Sequence, residues 1–334
     1  MTQAAGFYNP ETAEYFDPKE THRVAIVSGG NSGIGWYTVL HLYLHGYAVY
    51  VVGRNESRVK KAIKDIEDEA RRRTSSYDSF QKKTRHLGSM EYIHFDCCDL
   101  ESVERCATAF LSKERRLHVL INNAGVMGIP FEITKDGYEI QYQVNLVAPF
   151  LFTLNLLPAL KAAKSDAVPR VLTLSSVGHN AAYRYFDPSD HINHFPLMLY
   201  TWIRYGNAKC AAIQFMKKFA ANYPGILAFS IHPGVIGETE LYSWWDKLPF
   251  LGSIFHTARN VAGYFIGVSS EEGSLATLRA AMDQSLGEDD SGSYLITGGS
   301  IIEPSRVALN KDNIDTTWNR NIEMLREKGF TLLL

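Results

Sequence analysis

The sequence predicts a single doubly wound α/β domain, with a parallel sheet of about seven strands and helices on both faces. Three observations predict it. Short apolar runs alternate with longer helical patterns from residue 23 onward, the rhythm of β–α–β units. The first run, Val24 to Val27, ends in a glycine-rich turn that opens a helix. Polar or glycine-rich turns then follow the later runs, at Gly53–Arg54, Asp96, Asn122–Gly125, Ser176 and Pro233–Gly234. Ligands of open α/β sheets bind outside the carboxyl ends of the strands, where these turns lie.

In chain order, residues 1–22 form a polar N-terminal extension broken by Pro10 and Pro18. The main domain, of Rossmann type, spans 23–300. Its first strand covers 23–28 and its first helix 33–45, closed by Gly46. A strand ending at Gly53, a charged helix over 56–73 and a polar surface loop follow. Tyr92–Phe95 make the third strand, ahead of a helix over 100–114 and the strand HVLIN. One long helix is expected over 136–162, then the strand RVLTLSS ending at Ser176. Residues 177–199, rich in His, Tyr and Phe, read as an insertion loop before a helix over 200–222. The strand ILAFSIH, a segment over 239–270, a helix over 271–285 and the strand GSYLIT complete the domain, and 301–334 form a C-terminal extension.

Composition narrows the function classes. The 334 residues are 46% hydrophobic, enough for a large core, and a net charge of −2 gives no global bias toward nucleic acid. The four cysteines, Cys97, Cys98, Cys106 and Cys210, contain no CxxC pair, so reduced thiols and no metal site are expected. The first residues lack a basic start and an apolar stretch, which points to a cytoplasmic location without a secretory signal. The apolar region Leu248–Val268 is interrupted by His256, Arg259 and Asn260 and does not read as a membrane span.

The chemistry-bearing residues sit in the turns. Gly29, Gly33 and Gly35 let the backbone turn sharply and approach a ligand, and the free N–H groups at the start of the next helix suit a pyrophosphate. Arg54 lies 19 residues after Gly35 (54 − 35), near where an acid would bind the ribose 2′-OH of NAD. A guanidinium there favours the 2′-phosphate of NADP. Tyr205 and Lys209, four apart, share one helix face, and an ammonium beside a phenol lowers its pKa. Ser176, ending a neighbouring strand, can donate to a substrate carbonyl oxygen. Pro149 has no N–H, so the carbonyl of Asn145 loses its helical donor; the kink could bind a relay water or serve packing alone.

SGGNSGIG, Asp96, NNAG, Asn145, RVLTLSS, YGNAK and HPG, in this order over residues 23–235, resemble the short-chain dehydrogenase/reductase superfamily. The GRN after the second strand and the long loop before the tyrosine resemble its retinol dehydrogenase and WW-domain oxidoreductase branch. TKDGYE, WIRYGNAK and HPGVIGETEL are similar to fungal lipid-droplet oxidoreductases of that branch, of the yeast carbonyl reductase type. The resemblance implies NADP(H)-dependent reduction of a ketone or aldehyde. Ser32 and Arg54 would hold the 2′-phosphate, Asp96 the adenine, and Asn123 would support the pocket. Tyr205 would be the acid–base group, Ser176 would orient the carbonyl, Lys209 would hold the nicotinamide ribose, and Asn145 would serve a proton relay. Asn31, Ile34, Ala124 and Gly125 complete the cofactor set, together with Pro233, Gly234 and Ile236 around the carboxamide. Glu238 stands where a threonine is usual, with Thr239 next.

The resemblance implies a small aromatic-rich substrate lid over 239–270, and its Tyr242, Trp244, Trp245, Phe250, Phe255, Tyr264 and Phe265 admit three readings: a wall for a bulky apolar substrate, a satellite core, or a lipid-surface contact. Candidate partners are therefore a small carbonyl substrate, a lipid-droplet or membrane surface, and a second copy in a homodimer; nucleic acid is not expected. The alternative function is a non-catalytic NADP-binding regulator or lipid-droplet surface protein on the same fold. An epimerase or dehydratase reading conflicts with the GxxxGxG spacing.

Overall fold

The computed structural model describes residues 6–188, 193, 194, 196–236 and 267–333. Glu238, Thr239 and the aromatic stretch 242–265 lie outside the described residues. The strands are β1 Val24–Ser28, β2 Ala48–Gly53, β3 Ser89–His94, β4 Val119–Asn122, β5 Arg170–Leu174, β6 Leu227–Ile231, β7 Tyr294–Leu295 and β8 Ile301–Ile302. They form one sheet in the order β3-β2-β1-β4-β5-β6-β7-β8. All pairings are parallel except β7 with β8. The order reverses between β1 and β4, which is where open α/β sheets leave a crevice.

Side chains along each central strand alternate between two cores, as a pleated strand buried on both faces requires. Val24 and Ile26 of β1 join Leu120 of β4 in one core, while Ala25, Val27, Val119 and Ile121 join the other. The second core is covered by α1 Gly33–Leu44 and α2 Glu56–Thr74. Between α2 and β3 the expected loop contains a short helix, α3 Gln81–Thr84, because Asp78 takes the N–H groups of Phe80 and Gln81. The third strand starts at Ser89, three residues before the apolar run, since its backbone follows Ala48–Gly53 in register.

The first core is covered by α4 Leu100–Leu111 and by a broken helix where the sequence suggested one helix over 136–162. Its pieces are α5 Ile140–Tyr142, a π-turn over Gln143–Val147, α6 Ala148–Asn155 and α7 Leu157–Ala163. Pro149 and Pro158 cannot donate, and the chain bends by 56° at the break between α6 and α7. That bent pair has the apolar length of a membrane span, but its apolar residues are domain core; among the described residues no single helix qualifies. Helix α8 Leu197–Asn222 begins earlier than the apolar pattern suggested, just after Pro196. Helix α9 Ser270–Met282 opens with a capping box between Ser269 and Glu272.

Both extensions are tied to the domain. The Tyr8 N–H donates to Gly298 O (2.9 Å), and Phe16 packs edge-on against Tyr47. At the other end lie α10 Arg306–Leu309 and α11 Lys311–Glu327, which sequence periodicity did not single out. Helix α11 buries Trp318 against Phe150 and Phe215. Part of the 177–199 insertion docks there too: Phe186 is buried against Ile203, and Arg320 donates to Asp187 (3.3 Å).

One ionic cluster joins three helices of the second core. The Glu271 carboxylate, in the first turn of α9, accepts from His41 Nε2 on α1 (3.3 Å) and from Arg73 on α2 (2.7 Å). The His41 hydrogen bond and the Arg73 guanidinium hold the Glu271 carboxyl at about 2, against an ordinary 4.5. A depressed carboxyl pKa contributes stability above the unfolded value that is lost as pH falls through the folded one. Glu271→Gln should therefore lower the thermal midpoint at pH 7 by roughly 2–4 °C, a modest loss because the carboxylate is partly exposed. The difference from wild type should shrink between pH 4.5 and 2, followed by calorimetry across that range; parallel curves would contradict the assignment.

Candidate active site

The carboxyl ends of the central strands surround a cleft of about 650 Å³. Gly29, Asn31, Ser32, Gly33, Ile34 and Gly35 line one side, with Arg54 at their edge. Asn123, Ala124 and Gly125 form the floor. Ser176, Tyr205 and Lys209 stand opposite, beside Pro233, Gly234 and Ile236. Asp96 and Asn145 are not among the lining residues.

The glycine turn is shaped by backbone demands. Gly29 (φ +66°) and Gly33 (φ +53°) occupy the left-handed region. A Cβ on Gly35 would stand 2.3 Å from Gly29 O and 2.6 Å from Asn123 Nδ2, so only glycine fits. The turn is bolted to the end of β4. Asn123 Nδ2 donates to Ser28 O (2.9 Å) and Gly29 O (3.2 Å), and the N–H groups of Asn123 and Ala124 both donate to Ser28 Oγ (3.0 Å each). At the N-cap of α1, Ser32 makes no side-chain cap bond, which leaves the first-turn N–H groups to an external anion. This cradle fits the pyrophosphate of a dinucleotide, with exposed Arg54 placed beyond it.

Asp96 follows β3, where Oδ1 accepts from the Cys98 N–H (2.9 Å) and its own N–H donates to Ser102 Oγ (3.1 Å). Asn145 sits in the π-turn. Its amide donates to Val126 O (2.9 Å) and Gln141 O (2.8 Å), and its Oδ1 accepts from the Val126 N–H (3.2 Å). Asn145 thus fixes the chain just after Gly125. The kink expected from Pro149 is this π-turn, with the Ala148 N–H reaching back to Gln143 O.

On α8, Tyr205 and Lys209 are both buried, with Lys209 Nζ 5.7 Å from the Tyr205 ring centre. Nζ donates to Leu174 O (2.8 Å). Ser175 Oγ donates to Lys209 O (2.8 Å) and ties α8 to the end of β5. Strand β5 stops at Leu174, earlier than expected, because Ser176 caps a 3₁₀ turn over Val177–Ala181. Ser176 Oγ accepts from the Gly178 N–H (3.0 Å), which leaves its hydroxyl hydrogen for another acceptor.

Sequence reasoning missed several lining residues. Trp202 precedes Tyr205 by three on the same helix, a spacing that could have shown it. His232 ends the β6 run before Pro233; burial holds its imidazole down at about 4. Val126, Met127, Ile129, Val177 and Val235 add an apolar wall that no motif announces. Among the described residues no cluster of His, Cys, Asp and Glu could hold a metal ion.

Residues 23–186 match the family profile described as short chain dehydrogenase. An uncharacterized oxidoreductase of Schizosaccharomyces pombe is 39% identical over 249 residues, 72% of this chain and 68% of its own. A retinol dehydrogenase 12 of Mus musculus is 30% identical, over 91% of this chain and 86% of its own. A polyprenol dehydrogenase of Homo sapiens is 29% identical, over 94% and 88%. A crystal structure of a putative uncharacterized protein from Mycobacterium Paratuberculosis shares the fold, with TM-score 0.65 and 22% identity over 96% of this chain and 98% of that one. The chain belongs to the short-chain dehydrogenase/reductase family, in its retinol dehydrogenase-like branch. It is accordingly an oxidoreductase of carbonyl–alcohol chemistry with a nicotinamide cofactor.

Burial pushes the Lys209 ammonium down from 10.5 to about 7. An amine whose folded pKa is depressed destabilises the fold while the unfolded chain keeps its proton, fully below the folded value and not at all above the unfolded one. In the absence of nucleotide, Lys209→Met should therefore raise the thermal midpoint at pH 6, and the gain should fade as pH approaches 10, by scanning fluorimetry. A pH-independent difference would contradict a buried, strained ammonium.

Proposed function

We propose that the protein is an NADP(H)-dependent carbonyl reductase that also runs as an alcohol dehydrogenase, acting on bulky apolar ketones or aldehydes. The carrying observation is that Tyr205, Lys209 and Ser176 line one cleft with the glycine turn. The nicotinamide supplies or accepts the hydride. The glycine turn and the first-turn N–H groups of α1 would hold the pyrophosphate, and Ser32 with Arg54 the 2′-phosphate.

The chain's own residues do the rest. Ser176 donates its free hydroxyl hydrogen to the substrate oxygen. Tyr205 gives its phenolic proton to that oxygen during reduction and takes it back during oxidation. A phenol ordinarily holds its proton to about 10, so this exchange needs a nearby positive charge. Protonated Lys209 would provide one: burial opposes its charged form, and a bound anionic nucleotide would favour it. Lys209 also fixes the α8–β5 junction through Leu174 O, which keeps the acid–base group at the cleft wall.

The substrate side is apolar. Trp202, Met127, Ile129, Val177 and Val235 line the same cleft as Tyr205, and Val177 is 51% and Val235 44% exposed. Such a wall favours an extended apolar group over a small polar one. This is the observation that supports a lipid-like carbonyl, and attachment to a lipid surface would bring the cleft to that substrate.

Turnover is followed as loss of NADPH absorbance with aryl ketones, keto esters, steroids and retinal. Tyr205→Phe should lower kcat by about 10²–10⁴-fold with NADPH binding retained. Arg54→Ala should weaken NADPH by roughly ten- to a hundredfold and leave NADH nearly unchanged. Full activity in Tyr205→Phe would sink the acid–base assignment. Equal losses of both nucleotides in Arg54→Ala would sink the NADP preference.

A further inference from the structure

The turn that carries Ser176 is held from behind by the C-terminal segment through one imidazole. Ser176 O accepts twice from His179, from its N–H (3.0 Å) and from Nδ1 (2.7 Å). A carbonyl has no proton to give, so Nδ1 carries the hydrogen. The opposite ring nitrogen, Nε2, accepts from the Ser305 N–H (3.0 Å) and is therefore bare. Two backbone partners, 129 residues apart (305 − 176), thus fix one neutral tautomer of one ring.

The surroundings leave this ring little freedom. His179 is 3% exposed and packs edge-on against Tyr294, centres 5.1 Å apart. The turn is pressed against the acid–base residue itself. A Cβ on Gly178 would stand 2.7 Å from Tyr205 Cε1, and one on Gly206 would stand 2.6 Å from Gly178 O. A shift of the turn therefore moves the Ser176 hydroxyl and the wall of Tyr205 together. Ser305 is fixed in its turn as the cap of α10, and α8, α10 and α11 pack on one another.

We propose that His179 is a positioning residue for the Ser176–Tyr205 pair, and that the C-terminal segment sets the geometry of that pair through the Ser305 N–H. The proposal rests on the acid–base reading of Ser176 and Tyr205. The turn packs on Tyr205 and is separate from the glycine turn that cradles the pyrophosphate, so the contact is expected to act on turnover more than on nucleotide affinity.

Proline at 305 isolates the contact. Ser305 has φ −58°, which proline adopts, so Ser305→Pro and Ser305→Ala both lose the hydroxyl but only the first loses the N–H. Full-length variants are compared with NADPH and all-trans-retinal, by kcat and KM, by the NADPH dissociation constant, and by amide exchange over 177–182. Relative to Ser305→Ala, Ser305→Pro should lose about tenfold or more in kcat and exchange faster in the turn, with NADPH affinity within about twofold. His179→Asn keeps a donor toward Ser176 O, but its shorter side chain carries no acceptor out to the Ser305 N–H. It should show the same loss, and the double variant with Ser305→Pro no further one, because both remove one bond. Equal kcat and equal exchange in Ser305→Pro and Ser305→Ala would overturn the proposal, as would a lowered thermal midpoint with kcat retained. Tyr205→Phe is assayed alongside. If it turns over like wild type, the acid–base reading has failed rather than the contact. If retinal is not reduced, the exchange comparison alone decides.

Discussion

The structure turns on the interlock between two strand ends. Ser28 Oγ accepts two backbone N–H groups from the end of β4, and the Asn123 side chain returns two bonds to the backbone after β1. Ser28 is 2% exposed, so each of these groups would be costly to leave unpaired. The sheet order reverses at this point, which is where an open α/β sheet leaves a crevice outside its strand ends. The interlock holds the crevice open, fixes the glycine turn and sets where α1 begins. Everything that binds at the carboxyl ends is measured from that origin.

A second layer of fixed backbone faces it. Ser175 ties α8 to the end of β5, Lys209 reaches Leu174 O, and Asn145 holds the chain at Val126. The reactive groups themselves are few, and most of the polar side chains around them bond to main chain. This division follows from burial. A phenol, an ammonium and a serine hydroxyl can be kept at the edge of a dry cleft only where their neighbours leave no competing unsatisfied donors. The ammonium bears the cost, as the downward displacement of Lys209 to about 7 shows. On the proposed reading, charge from a bound nucleotide would offset that cost and so link cofactor binding to the protonation of Lys209.

Local signals carried the alternation of parallel strands with helices and the glycine turn because both are written in short stretches. An apolar run followed by Gly29, Gly33 and Gly35 has few other folds available. Tyr205 and Lys209 were visible together because four residues on a helix is one face. The π-turn at Gln143–Val147 was not visible as such; Pro149 announced a break without its form. The antiparallel strand β8 has two residues, too few for any alternation to be read. The joining of His179 to Ser305 and of Trp318 to Phe150 depends on how the C-terminal segment returns over α8, a long-range choice that no local pattern encodes. The apolar lining by Met127, Ile129 and Trp202 likewise joins two separate elements, the loop after β4 and helix α8.

The measurement that bears most directly on the account is equilibrium binding of NADPH to the purified chain and to Gly35→Ala, with circular dichroism as the check on folding. The interlocked turn predicts saturable binding by wild type, at one site per chain. Gly35→Ala should lose about a hundredfold or more in affinity while remaining folded, since its Cβ would meet Gly29 O at 2.3 Å. Wild type that binds no nicotinamide nucleotide, or a folded Gly35→Ala that binds as tightly as wild type, would contradict the assignment of this turn as the cofactor site.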